Sequence, residues 1–183
     1  AKFQTGWDVL ILGDGVFGFI HAIFAKIFGA RKIIISGHYD SRLNRIAKET
    51  NAITCNTHNQ KLNDVLEKTV GKLGVDLVIE CTSSGAAPNI ALNALKPRGT
   101  VVLFSYIWKP EILDLALLNM KELNVLGSCR SLNCFDKCLK LISEKKLNIT
   151  QLADIKEPLA NVNKAITALQ ENKKNVFKAI LLP

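Results

Sequence analysis

Val9-Leu10-Ile11-Leu12-Gly13-Asp14-Gly15-Val16-Phe17-Gly18 is the stretch on which the reading of this chain turns. An apolar run ends in G-x-G-x-x-G, and an apolar helical pattern follows it. The spacing predicts a strand, a tight turn and a helix. Gly13 allows the turn, Gly15 lets a pyrophosphate approach the backbone, and Gly18 lets the helix pack against the strand. The helix N-terminus offers free N–H groups and the positive end of a dipole to phosphate, so Gly13, Asp14, Gly15, Val16, Phe17 and Gly18 are candidate binding residues.

The same alternation repeats outward from that turn. Residues 19–28 are apolar nearly all round, as in a helix wedged against a sheet, and Gly29 stops them. Residues 32–36 (K-I-I-I-S) form a β-branched run suited to a buried parallel strand. Further strands are expected at 52–55, 75–81, 100–104 and 123–126, with helices at 41–50, 59–73, 88–95 and 113–120. Strand and helix alternating six times predict an α/β fold, a doubly wound six-stranded parallel sheet of Rossmann type. Beyond Gly127 the pattern changes to helices at 135–146 and 160–171, a looser stretch at 147–158 and a closing strand at 176–182 with no visible partner. The expected division is a dinucleotide-binding domain over residues 1–146 and a C-terminal helical and strand tail over 147–183.

Composition sets bounds on function. The chain has 183 residues, 48% of them hydrophobic and 22% charged, ordinary for a soluble globular domain. No apolar run reaches the roughly 18 to 20 residues of a membrane span, so no membrane is expected. The net charge of +8 favours anionic partners, but the lysines are scattered and no aromatic stacking series accompanies them. A solvated basic surface is expected, and no nucleic acid. The five cysteines suit reduced thiols in a cytoplasmic protein. Cys129, Cys134 and Cys138 lack the C-x2-C form of a zinc knuckle and have no neighbouring histidine, so no metal site is expected.

A second motif bears on the ligand. About 20 residues past such glycines, an Asp or Glu at the end of the second strand reads the adenosine ribose and repels a 2′-phosphate. Here that position is Gly37, followed by His38 and Tyr39. A glycine leaves room for the phosphate, and His38, Tyr39 and Arg42 supply donors and charge. The reading favours NADP, with NAD as the alternative if Asp40 swings back as the acidic reader.

With both motifs placed, the chain resembles the cofactor-binding portion of the medium-chain dehydrogenase/reductase superfamily, the relatives of zinc-type alcohol dehydrogenases. VLILGDGVFG, Gly29-Ala30, GVDLVIECTSSG, LKPRGTVVLFS, KELNVLGS and NVFKAILLP carry the resemblance in order. It implies that Cys81, Thr82 and Ser83 end the fourth strand beside the cofactor. It implies that Phe104, Ser105 and Tyr106 end the fifth strand, where family backbone holds the nicotinamide amide. Lys178 matches a basic residue that approaches the cofactor.

The family's zinc ligands lie in a separate catalytic domain whose G-H-E and C-x2-C-x2-C patterns are missing here. The resemblance therefore implies the coenzyme domain of an alcohol or polyol dehydrogenase, with no catalytic residue of its own and inactive alone. The substrate, an alcohol or carbonyl compound, would be met through the missing domain. It also implies a homo-oligomer through the edge strand Leu123-Asn124-Val125-Leu126. A methyltransferase using S-adenosylmethionine and a non-catalytic nucleotide-sensing module are the competing readings. His21, inside the first helix, reads as packed rather than catalytic.

Overall fold

β1 (Asp8–Leu12) is buried at every position, which only a central strand covered on both faces achieves. In this computed structural model, described for residues 2–129 and 134–183, the chain forms two compact units, Ala1–Arg130 and Ser131–Pro183. In the first, β1 lies between β2 (Lys32–Gly37) and β4 (Val75–Glu80), and the six parallel strands run in the order β3-β2-β1-β4-β5-β6. β3 (Ile53–Asn56) and β6 (Asn124–Gly127) are the edges, and β5 (Leu95–Leu103) separates β4 from β6. The doubly wound parallel sheet expected from the alternation is the observed one.

Side chains alternate across β1, and each face has its own helices. α1 (Val16–Ile27) packs on β1 and β2 and against α2 (Asp40–Thr50). On the opposite face Leu10, Leu12, Ile34 and Val78 join one apolar cluster with Leu66 of α3 (Leu62–Val70) and Ala87, Ala91 and Leu92 of α4 (Ala87–Ala94). Burying each such large side chain stabilises by about 1.5–3 kcal/mol, which makes this cluster the main source of stability. α5 (Leu115–Met120) precedes β6, and Asp114 caps it by accepting from Leu117 N–H at 2.9 Å.

Several boundaries differ from the expected ones. The first helix starts at Val16, so the glycine turn leads into it without a spacer. β5 begins five residues early because Leu95 pairs with Val75, the register then shifts, and pairing resumes at Leu77 and Thr100. The intervening Pro97-Arg98-Gly99 bulges out, with Arg98 in the left-handed region at φ 64°. Leu123, assigned to the edge strand from its apolar character, precedes β6 and is buried.

The second unit contains α6 (Phe135–Ser143), β7 (Ala153–Pro158), α7 (Val162–Glu171) and β8 (Lys178–Leu182). The stretch expected to be loose contains β7, and β8, which lacked a visible partner, pairs with it in parallel from Ala153↔Lys178 to Pro158↔Leu182. Short strands with alternating exposure carry too little apolar signal to be seen in A-D-I-K-E-P. α7 covers the pair, burying Ala165.

Candidate functional site

The strand order reverses between β1 and β4, and in open α/β sheets the crevice at such a point, beyond the carboxyl ends of the strands, is where ligands sit. Four strand ends converge there. The glycine turn leaves β1, and Gly13 N–H donates to Ser36 O of β2 at 2.8 Å while Cys81 N–H of the β4 end donates to Leu12 O at 2.9 Å. The turn is thus fastened to both neighbouring strands.

The glycines do different work. At Gly18 a Cβ would stand 1.9 Å from Gly13 O, so the first turn of α1 crosses the chain that leads into it too closely for any side chain. The contact is with the turn itself more than with the strand, since the next side-chain neighbour, Ile35 Cδ1, lies at 3.6 Å. At Gly15 nothing lies within 4 Å of that position, and the residue is the N-cap of α1 with φ −80° and ψ −174°. That open face is where a phosphate can approach the backbone. No side chain caps α1 and its first turn holds no acidic residue, so the helix terminus keeps its electropositive character.

Beside Gly37 the structure places a second side chain. The room predicted there is filled by Asp14, whose Cγ lies 2.4 Å from where a Cβ of residue 37 would be. Asp14 is buried, and its Oδ2 accepts from His38 N–H and Tyr39 N–H, both at 2.8 Å. The His38 ring packs against His58 at 4.8 Å, and the Arg42 guanidinium lies 5.3 Å over the Tyr39 ring. Asp40 Oδ1 accepts from Asn56 Nδ2 at 2.7 Å, which ties it to the end of β3 and away from the turn.

At the other end of the crevice, next to Cys81, Glu80 organises Thr82, Ser83, Phe104 and Ser105. It is fully buried at the end of β4. Its Oε1 accepts from Thr82 N–H at 2.6 Å, Thr82 Oγ1 at 2.7 Å and Ser83 N–H at 3.1 Å, and its Oε2 accepts from the Ser105 hydroxyl. Its backbone carbonyl accepts from Phe104 N–H and Ser105 N–H. Ser83 N–H also donates to Ser105 Oγ at 2.8 Å, with Ser83 held at φ 60°. One carboxylate thus pins the ends of β4 and β5 together. The sequence signal for it is an acid closing the apolar run L-V-I-E.

Packed behind these ends is an apolar wall. Phe17 and Phe104 lie 5.0 Å apart, and His21 stands edge-on to Phe104 at 4.7 Å. His21 Nδ1 lies 2.7 Å from Phe17 O and 3.5 Å from Cys81 Sγ. Burial lowers the His21 pKa, partly offset by the hydrogen bond to Phe17. Burial, helped by the nearby Glu80 charge, pushes the Cys81 thiol up to about 12. Both groups are therefore neutral near pH 7, which leaves Cys81 without nucleophilic character. Tyr106 is more exposed, its hydroxyl 2.8 Å from Cys129 Sγ and its ring stacked on Trp108 at 5.3 Å. Lys178 opens β8 in the second unit.

The site combines an open glycine turn in the middle, the end of the second strand on one side, and a β4–β5 rim pinned by Glu80 on the other. Among the described residues no group of three His, Cys, Asp or Glu side chains could hold a metal ion, and no helix is long and apolar enough to cross a membrane.

Comparison with known proteins agrees with this architecture. Residues 17–144 match the family model described as zinc-binding dehydrogenase. The chain is 31% identical over 186 residues to sorbitol dehydrogenase of Bombyx mori, covering 100% of this chain and 52% of that protein. It is 29% identical over 187 residues to sorbitol dehydrogenase of Gallus gallus, covering 100% and 51%. The chain thus spans about half the length of these curated relatives. Its fold superposes with a TM-score of 0.92 on the alcohol dehydrogenase TADH from Thermus sp. ATN1, at 23% identity over 98% of this chain and 52% of that one.

Proposed function

The chain belongs to the zinc-binding dehydrogenase family, and from that premise we propose that it is the coenzyme-binding part of an NAD(P)-dependent alcohol or polyol dehydrogenase. The observation that carries the proposal is the Gly13–Gly18 crossing at the reversal of strand order, which leaves the backbone beside Gly15 open to phosphate. The family premise sets aside the methyltransferase reading.

In this reading the backbone of the turn and the N-terminus of α1 hold the pyrophosphate. The ends of β1 and β2 receive the adenosine ribose. Thr82, Ser83 and the Phe104–Ser105 backbone, fixed by Glu80, position the nicotinamide, while Phe17, Phe104 and His21 back it with apolar surface. The cofactor supplies hydride donor and acceptor chemistry when bound, and the residues of this chain bind it, orient it and exclude water. The described residues do not fit a zinc ion, so polarisation of the substrate oxygen is assigned to protein outside them.

The test is direct titration of the purified chain with NADH and NADPH, followed by fluorescence, alongside an assay for alcohol oxidation. Saturable dinucleotide binding without turnover is the expected result. Turnover by the 183-residue chain alone would overturn the division of labour, and no binding of either dinucleotide would overturn the reading itself.

A further inference from the structure

The inference drawn here rests on the cradle reading above and concerns which dinucleotide the cradle admits. We propose that Asp14, from within the glycine turn, takes over the part usually played by an acidic side chain at the end of the second strand, and so selects the cofactor that lacks a 2′-phosphate.

The first support is spatial. A side chain at residue 37 would start 2.4 Å from the Asp14 Cγ and 2.5 Å from its Oδ2. The Asp14 side chain therefore fills the space into which a side chain on residue 37 would grow, and brings a carboxylate to the end of β2. Glycine at 37 and aspartate at 14 are two halves of one exchange: the carboxylate has moved from the strand to the turn, and the strand position has lost its side chain to admit it.

The second support is in the hydrogen bonds. The N–H groups of His38 and Tyr39, just past the end of β2, are the backbone donors at this end of the crevice, and Asp14 Oδ2 accepts from both at 2.8 Å. A 2′-phosphate would have to displace the carboxylate or sit beside it. Asp14 is only 7% exposed, so salt screens that repulsion weakly.

The neighbouring groups do not reverse the sign. Asp40 adds a second carboxylate to this end and is bound to Asn56. The His38 ring faces His58, and the Arg42 guanidinium lies over Tyr39. The ribose without a phosphate asks only for an acceptor near its hydroxyls, which a carboxylate supplies.

Calorimetric titration of the purified chain with 5′-AMP and 2′,5′-ADP isolates the adenosine end, and the same measurement with NADH and NADPH extends it to the cofactors. The native chain is expected to bind 5′-AMP and NADH at least about tenfold more tightly than their phosphorylated counterparts, the effect of setting like charges together. Asp14→Asn keeps an acceptor for both N–H groups and removes the charge. It is expected to bring the ratio within about threefold by strengthening the phosphorylated ligands. Equal or tighter binding of 2′,5′-ADP by the native chain would overturn the proposal and assign the pocket to His38, His58 and Arg42. An unchanged ratio in a folded Asp14→Asn variant would also overturn it. If that variant does not fold, the native pair of ligands decides alone. Failure to bind any of the four ligands would overturn the cradle reading together with this one.

Discussion

Two glycines of one motif are held to different standards by the structure, and substitution separates them. Gly15→Ala adds a methyl group to open space at an ordinary φ. Its stability should change by less than about 0.5 kcal/mol, while dinucleotide affinity falls at least about tenfold because the methyl occupies the phosphate's approach. Gly18→Ala drives a methyl group into Gly13 O. It should lose both affinity and about 1–3 kcal/mol of stability through forced backbone movement. Thermal melts and titrations of the two variants check the contrast.

His21 makes a prediction of another kind. Its folded-state pKa is lowered by burial, so above its ordinary value of about 6.5 the imidazole is neutral in both states and its contribution is constant. As pH falls below about 6.5 the unfolded chain takes up the proton first, and stability drops by up to about 1.4 kcal/mol per pH unit until the folded-state value is reached. Urea denaturation between pH 7.5 and 5.5 should show that decline, and His21→Gln should flatten it. Cys81, raised to about 12, adds no slope in this range.

At the scale of elements, two polar side chains hold the sheet ends in place. Glu80→Ala strips Thr82, Ser83 and Ser105 of their shared acceptor and should cost about 3 kcal/mol, with loss of dinucleotide binding. Glu80→Gln, which keeps one acceptor oxygen, should lie between. Lys121 Nζ donates to the carbonyls of Leu92, Asn93 and Leu95 and so caps the C-terminal end of α4. Lys121→Met should cost about 2 kcal/mol and leave affinity unchanged, since α4 belongs to the core and not to the rim. Chemical denaturation measures both.

These elements also show what the sequence could and could not reveal. Buried strands such as Ile33-Ile34-Ile35 and the G-x-G-x-x-G turn were legible because burial on both faces demands unbroken apolar runs and the turn demands glycine. The β5 bulge and β7 were not, because their residues are set by long-range pairing with Val75 and with β8 rather than by local pattern. At the site the turn was legible, but the partnership of Asp14 with Gly37 joins the turn after β1 to the end of β2. Read in isolation, Gly37 signified empty space.

At the scale of the molecule, β6 is an exposed edge with Leu126 partly open to solvent. Unprotected edges invite pairing, and a twofold contact through β6 would continue the sheet into a second copy. We expect a solution mass near twice 20.2 kDa by light scattering, shifting to the single-chain value in Val125→Pro, which removes an edge hydrogen-bond donor. A monomeric native chain would remove β6 from consideration as a contact.

The central place of β1 carries a cost for the growing polypeptide. One flank of β1 meets β2 almost at once, through Val9↔Ile33, but the other waits for Leu77 of β4. At about 5–20 residues per second, the ribosome leaves that apolar edge without its partner for several seconds. The strand that finally anchors the nucleotide turn is, during birth, the place where chaperones have most to shield.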